Sequence, residues 1–202
     1  NAGDITVVAG GTMAATVVTA GTDGNITLRT TGVGDITIDD LDATADDVTI
    51  ISAGSLTALN VANATEITAQ AIVIEAADEI GSAGTVINTT DGDASNQGRF
   101  LTTTPDGDIY VTNTGTFQLD GAVAVAGGNI QVIAASPLTV VGDVRTVGNG
   151  SITLTASEDA NAATGDDLVI SANVTILTEQ GDITLTGGGD ITQATGGLIQ
   201  TG

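Results

Sequence analysis

Three side-by-side carboxylate pairs, Asp39/Asp40, Asp46/Asp47 and Asp166/Asp167, are the residues of this sequence best suited to acid–base chemistry. Glycoside hydrolysis needs only two carboxyl groups, so a carboxylate-dependent polysaccharide-degrading enzyme is one reading of them. Two observations weigh against it. Neighbouring residues on a strand point to opposite faces, and Phe100, Tyr110 and Phe117 are the only aromatic side chains on which a sugar ring could rest. Other catalytic chemistry is thinly supplied. The chain has no His, no Cys and no Lys, which removes the commonest general base, the thiolate nucleophile and the Schiff-base amine. No catalytic residue is assigned, no cofactor is expected, and the chain reads as a protein that is not an enzyme.

Metal binding is the second chemistry the acidic residues suggest. Calcium takes six to eight oxygen ligands, and Asp91, Asp93, Asp106 and Asp108 form the candidate set, with Asp39, Asp40, Asp42, Asp46 and Asp47 as a second cluster. The segment from Asp91 opens like a helix–loop–helix calcium loop, Asp-x-Asp-x-Ser. It then departs from that pattern, with Asn96 where the Gly belongs and Thr102 where the bidentate Glu belongs. Solvated corner residues are the plainer account of both clusters.

These side chains must be positioned by β-structure. The 202 residues carry 28 Gly, abundant Thr, and a hydrophobic complement made almost wholly of Ala, Val, Ile and Leu, the alphabet of short strands and tight turns. A recurring unit runs Gly, small polar, apolar, polar, apolar. Examples are Gly3-Asp4-Ile5-Thr6-Val7, Gly24-Asn25-Ile26-Thr27-Leu28, Gly34-Asp35-Ile36-Thr37-Ile38, Gly107-Asp108-Ile109-Tyr110-Val111, Gly128-Asn129-Ile130-Gln131-Val132, Gly150-Ser151-Ile152-Thr153-Leu154 and Gly181-Asp182-Ile183-Thr184-Leu185. Alternation with period two sends the aliphatic residues to one face and Thr to the other. Gly gives either a positive φ or a tight backbone at the corner, and Asp, Asn or Ser can cap it.

Ile5 to Ile26 and Ile130 to Ile152 are steps of 21 and 22 residues, with half-steps such as Ile26 to Ile36. Such a period predicts a parallel β-solenoid, a right-handed β-helix of about nine or ten coils in one domain spanning 1–202. A β-sandwich also spaces strands by 8–12 residues and is the alternative. The rhythm breaks over 78–106 and again over 157–165, where projecting loops are expected.

Gly181 to Thr186 and Ser151 to Ser157 resemble repeats of filamentous-haemagglutinin-type exoproteins and giant bacterial surface adhesins. The resemblance implies an exported right-handed β-helix acting in adhesion, matrix formation or toxin delivery. The family's secretion module carries an Asn-Pro motif, and neither Pro105 nor Pro137 follows Asn. No site residue is carried over.

Charge and ends complete the reading. Twenty-five acidic residues against Arg29, Arg99 and Arg145 give a net charge of −22, which disfavours nucleic acid and anionic membranes as partners. No apolar stretch is long enough for a membrane helix. Motif strands lie close to both ends of the chain with no evident cap, so Ile5, Val7, Leu198 and Ile199 are the expected self-assembly residues, and the expected partner is another copy or neighbouring repeats of a longer chain. The function expected is an extracellular, cell-surface structural or adhesive rod. A calcium- or glycan-binding surface module is the alternative. Thr-x-Thr pairs such as Thr112/Thr114, Thr153/Thr155 and Thr184/Thr186 resemble ice-binding arrays, interrupted here by Arg29 and Asp39; the preference of Thr for an exposed strand position is the plainer account of them.

Overall fold

The computed structural model describes residues 3–21, 23–59, 65–91, 97–103, 107–125, 127–135, 137–158 and 165–202. Every regular element among them is a strand, and every strand pairing is parallel. Parallel neighbours 20 to 32 residues apart in sequence mean that the chain winds around itself and lays each strand on its predecessor one turn earlier. The predicted solenoid is therefore the fold, and the sandwich is not.

One face runs the length of the rod. Its inward column passes through Val7, Leu28, Ile50, Ile74, Phe100, Ala122, Val144, Ile176 and Ile199. These are nine rungs joined by eight turns, close to the nine or ten coils expected from the period. A second face carries Met13, Ile36, Leu56, Ile80, Ile109, Ile130, Ile152 and Ile183 in register. The leading half of the long face, in which Ile72 pairs with Gly98 and Gly98 with Leu119, separates beyond 117–119 into a face of its own that continues through Leu138–Val140, Leu168–Ile170 and Ile191–Gln193. Stacked Ile, Leu and Val fill most of the interior, because each rung presents the same narrow cross-section to the next, and Phe100 and Phe117 are the buried aromatic side chains.

Of the loop expected over 78–106, much is part of the coil. Ile80 bridges Leu56 and Ile109, and Ile87–Asp91 and Gln97–Thr102 pair on both sides. The alternation was hidden because Thr89 and Gly98 occupy inward positions where an aliphatic residue was sought. Residues 92–96 and 104–106 lie outside the described residues, as do 159–164 of the second expected loop. The turn from Ile152 to Ile183 is 31 residues, nine longer than the one before it, so the chain does carry extra length there.

Each position of the recurring motif has a task between rungs. Gly107, Gly128, Gly150 and Gly181 sit one above another, and a Cβ on Gly128, Gly150 or Gly181 would overlap the carbonyl of the glycine beneath it. Close approach, rather than a positive φ, is why this column is glycine. The next position forms a relay. Asp108 Oδ1 accepts the Asn129 backbone N–H (2.6 Å) and Nδ2–H (3.0 Å), Asn129 Oδ1 accepts the Ser151 N–H (3.0 Å), and Ser151 Oγ accepts the Asp182 N–H (3.2 Å). On the first face, Asp4 and Asn25 repeat the arrangement.

A column of inward hydroxyls closes the corner. Thr30, Thr102 and Thr178 donate to the carbonyls of Gly34 (2.7 Å), Gly107 (2.9 Å) and Gly181 (2.6 Å), and buried Ser52 donates to Ser55 O (2.9 Å). These buried polar groups are satisfied.

Candidate functional sites

The acidic pairs are not assembled into a catalytic centre. At Asp39/Asp40 the strand turns a corner, with Ile38 and Leu41 both buried. Both carboxylates therefore face outward, contrary to the expectation that adjacent residues diverge. Asp46 Oδ2 accepts the Gly24 N–H (2.8 Å) and Asp167 Oδ1 accepts the Asp190 N–H (2.8 Å), so one member of each of the other two pairs is a corner cap. Asp42 likewise accepts from Thr44.

The candidate calcium set is not brought together by anything described. Asp93, Asp106 and the side chain of Asp91 lie outside the described residues, and Asp108 is engaged in the relay to Asn129. Among the described residues no group of three acidic side chains is placed to hold a metal ion. At the corners Asp4 lies beside Asn25, Asp35 beside Ser55 and Asp182 beside Ser151, so a neutral acceptor neighbours each of these three charges, whereas Asp167 stacks directly against Asp190.

The Thr pairs form a short array. Thr153 and Thr155 stand in register with Thr184 and Thr186, but the rung below carries Gln131 and Ile133. Two matched rungs make a hydroxylated strip rather than an extended lattice.

Two other places carry features the motif does not explain. The first is a β-bulge on the long face. One residue, Arg99, separates Gly98 from Phe100, whereas Asp120 and Gly121 both separate their partners Leu119 and Ala122. Gly121 takes a φ of 120°, a backbone conformation suited to glycine. Bulges bend a strand and re-aim its side chains. Here the bend opens a pocket of about 240 Å³ lined by Arg99, Phe100, Leu101, Asp120, Val123 and Asp143. Beneath it lies the Phe100–Phe117 pair, ring centroids 6.3 Å apart. Phe117 fits because the adjacent inward position is Gly98, where a Cβ would strike its ring.

The second is Glu66, which is fully buried. Its Oε2 accepts the Asn88 backbone N–H at 2.6 Å, and its Oε1 has no hydrogen-bond partner among the described residues. Burial pushes the carboxyl above the ordinary carboxylate range, the Asn88 hydrogen bonds oppose the rise, and the charge of Asp39 adds to it. The folded chain thus holds this proton more tightly than the unfolded chain. The stability Glu66 contributes is full below its unfolded value and is lost as pH rises through its folded value. Glu66→Gln removes that loss. Thermal melts of the two proteins should lie closest near pH 4 and diverge toward pH 7, with the variant the more stable at the higher pH.

No family model matches the sequence, and no curated protein or solved structure matches it either.

Of the residues expected to take part in self-assembly, Ile5 and Val7 lie on the first rung of the rod and Leu198 and Ile199 on the last. Val7 and Ile199 terminate the same inward column and are 40% and 38% exposed, whereas their neighbours Leu28 and Ile176 are fully buried. Ile5 continues the column of Ile26. Leu198 differs: it pairs with the outward-facing Thr175 and so lies on the wall rather than in the core.

Proposed function

We propose that this chain is an extracellular structural or adhesive rod, joined end to end with other copies into a fibre or with further coils into a longer cell-surface stalk. The observation supporting this is the exposed core at each end: an apolar column open at Val7 and again at Ile199. A rung stacked on either end would bury that column and satisfy the unpaired strand edge. Because the column is the same one, a parallel head-to-tail contact continues it without a change of register, and a head-to-tail contact that does not close propagates. The resemblance to adhesin repeats points to the same role, with length and stiffness as the working properties.

Negative-stain electron microscopy of the purified chain provides the test. Unbranched fibres are the expected result, and Ile199→Asp, which places a charge at the open column, should reduce them to short rods roughly 40 Å long, as nine rungs about 4.8 Å apart require. Rods that never lengthen at high concentration, with both outermost rungs protected from hydrogen exchange, would overturn the end-to-end reading. Calcium should leave fibre length unchanged. Lengthening only in its presence would favour the cation-binding alternative.

A further inference from the structure

A solenoid ends on a step, because each strand rests on the one a turn before it. After Leu198–Thr201 the next place in the winding lies over Ile183–Gly187, and in a fibre the next strand is the first of another copy, Ile5–Ala9. Continuing the Val7–Ile199 column directly is the other way to seat that copy, and around the column it does not mesh. Ile5 and Val7 are two residues apart, whereas Gln193 and Ile199, which end their columns, are six apart. A copy seated so also begins past the step, which leaves a gap one strand high above Ile183–Gly187.

The outlines of the two end coils match once one of them is turned. At the start of the rod Ile5–Ala9 is a straight side, and Met13–Thr19 bends between Ala15 and Val18, whose register partners Ile38 and Leu41 are both buried. One long side is thus followed by two short ones. At the far end Ile183–Gly187 is the long side, followed by Ile191–Gln193 and Leu198–Thr201. The long side has passed from one face to another along the rod. Its two columns are two residues apart at Gly98 and Phe100, three at Leu119 and Ala122, four at Val140 and Val144, and six at Ile170 and Ile176.

We propose that successive copies stack end to end turned by one side of the coil, with Ile5–Ala9 of each copy resting on Ile183–Gly187 of the copy before it. This seating rests on the end-to-end reading above and specifies the contact. Ile5 and Val7 then cover Ile183 and Leu185, and the four-residue step from Ala9 to Met13 meets the four-residue step from Gly187 to Ile191. Val18 covers Ile199. On the outer wall Val17, 68% exposed, meets Leu198, 47% exposed, so two apolar side chains that face outward in the single chain lie together. The last corner spans three residues from Ala15 to Val18 and six from Gln193 to Ile199. The rod already stacks a larger mismatch, nine residues from Ala58 to Ile67 over three from Ile38 to Leu41. The corner relay continues too. Gly3-Asp4 lies over Gly181-Asp182, and the Asp182 carboxylate accepts the Asp4 N–H as Asp4 Oδ1 accepts that of Asn25 at 2.9 Å. An Asp resting on an Asp has its precedent in Asp190 and Asp167.

The chain has no Cys, so introduced pairs report the seating by disulfide formation. Val8 and Thr186, both exposed and on the first and last rungs, stand opposite each other only across the turned junction, where strands about 4.8 Å apart fall within the usual Cα separation of a disulfide. Val8→Cys with Thr186→Cys should give normal fibres under reducing conditions and, on oxidation, a ladder of covalent multimers on a non-reducing gel. Thr6→Cys with Thr184→Cys is an independent second pair on the same two strands. Val8→Cys with Gln200→Cys, which direct continuation of the column would bring together, should give none. Thr153→Cys with Thr184→Cys, in register on adjacent rungs of one chain, is the positive control for linkage between stacked strands. Fibres in which neither turned pair links, or in which the Gln200 pair links as readily, would overturn the turned seating and leave the end-to-end reading standing. Absence of fibres from the unmodified chain would overturn both.

Discussion

Alanine at Gly150 should destabilise the rod by about 3 kcal/mol or more, and a urea titration followed by circular dichroism would measure it. The added methyl has nowhere to go. It would overlap the carbonyl of Gly128 directly beneath and crowd the Thr146 hydroxyl, which itself donates to Gly128 O at 2.6 Å. Overpacking against side chains typically costs about 1–3 kcal/mol; here the obstacle is backbone, which cannot rotate away. The change must widen the spacing between two rungs and so weaken the ladder on both sides. Alanine at Gly84, where a Cβ meets nothing, should leave stability nearly unchanged and serves as the control.

Phe117→Ala should be of comparable size, about 3–5 kcal/mol, the usual cost of emptying an aromatic site in a core. Its ring is fully buried against Phe100, and the inward position beside it is Gly98, which has no side chain to relax into the void. Gly98→Ala alone should also destabilise, because its methyl would meet the Phe117 ring. Combined, the two substitutions should interact favourably, the methyl occupying part of the space the ring vacates, with about 1 kcal/mol of the loss recovered. Simple additivity would mean that Gly98 is not there to admit the ring.

The recurring motif made the fold legible because its three leading positions act between rungs. Glycine admits the neighbouring backbone, Asp, Asn or Ser accepts the next rung's amide, and Ile enters the stacked core. Nothing about a single copy reveals this; the fixed step between copies does. Other features were not legible for identifiable reasons. Thr30, Thr102, Thr146 and Thr178 look like any outward strand Thr, yet each is buried and hydrogen-bonded to a glycine carbonyl. Their place a few residues before a motif Gly was the available signal.

The bulge was hidden for a similar reason. Asp120-Gly121 reads as an ordinary turn, and only the register on both sides shows that two residues there oppose one. Glu66 occupies a position where other copies carry Asp, Asn or Ser, and its burial depends on packing that a single sequence does not express. For the acidic pairs, local reasoning failed at corners: alternation predicts divergence along a straight strand, but the chain bends at Asp39/Asp40.

The direction of the hydrogen bonds also decides how such a rod bears load. In a flat sheet pulled along its strands, many bonds are sheared together. Here the bonds run parallel to the long axis, so a pull between the two ends passes through the eight junctions one after another, and the assembly is as strong as its least complete junction. Most junctions on the long face keep a continuous register, but the one between Gln97–Thr102 and Phe117–Ala124 is interrupted by the bulge. The junction between Val144–Thr146 and Thr175–Thr178 is less complete still, paired at two positions against four across the bulge, so the rod's mechanical weak link on this face lies there, one coil beyond the pocket.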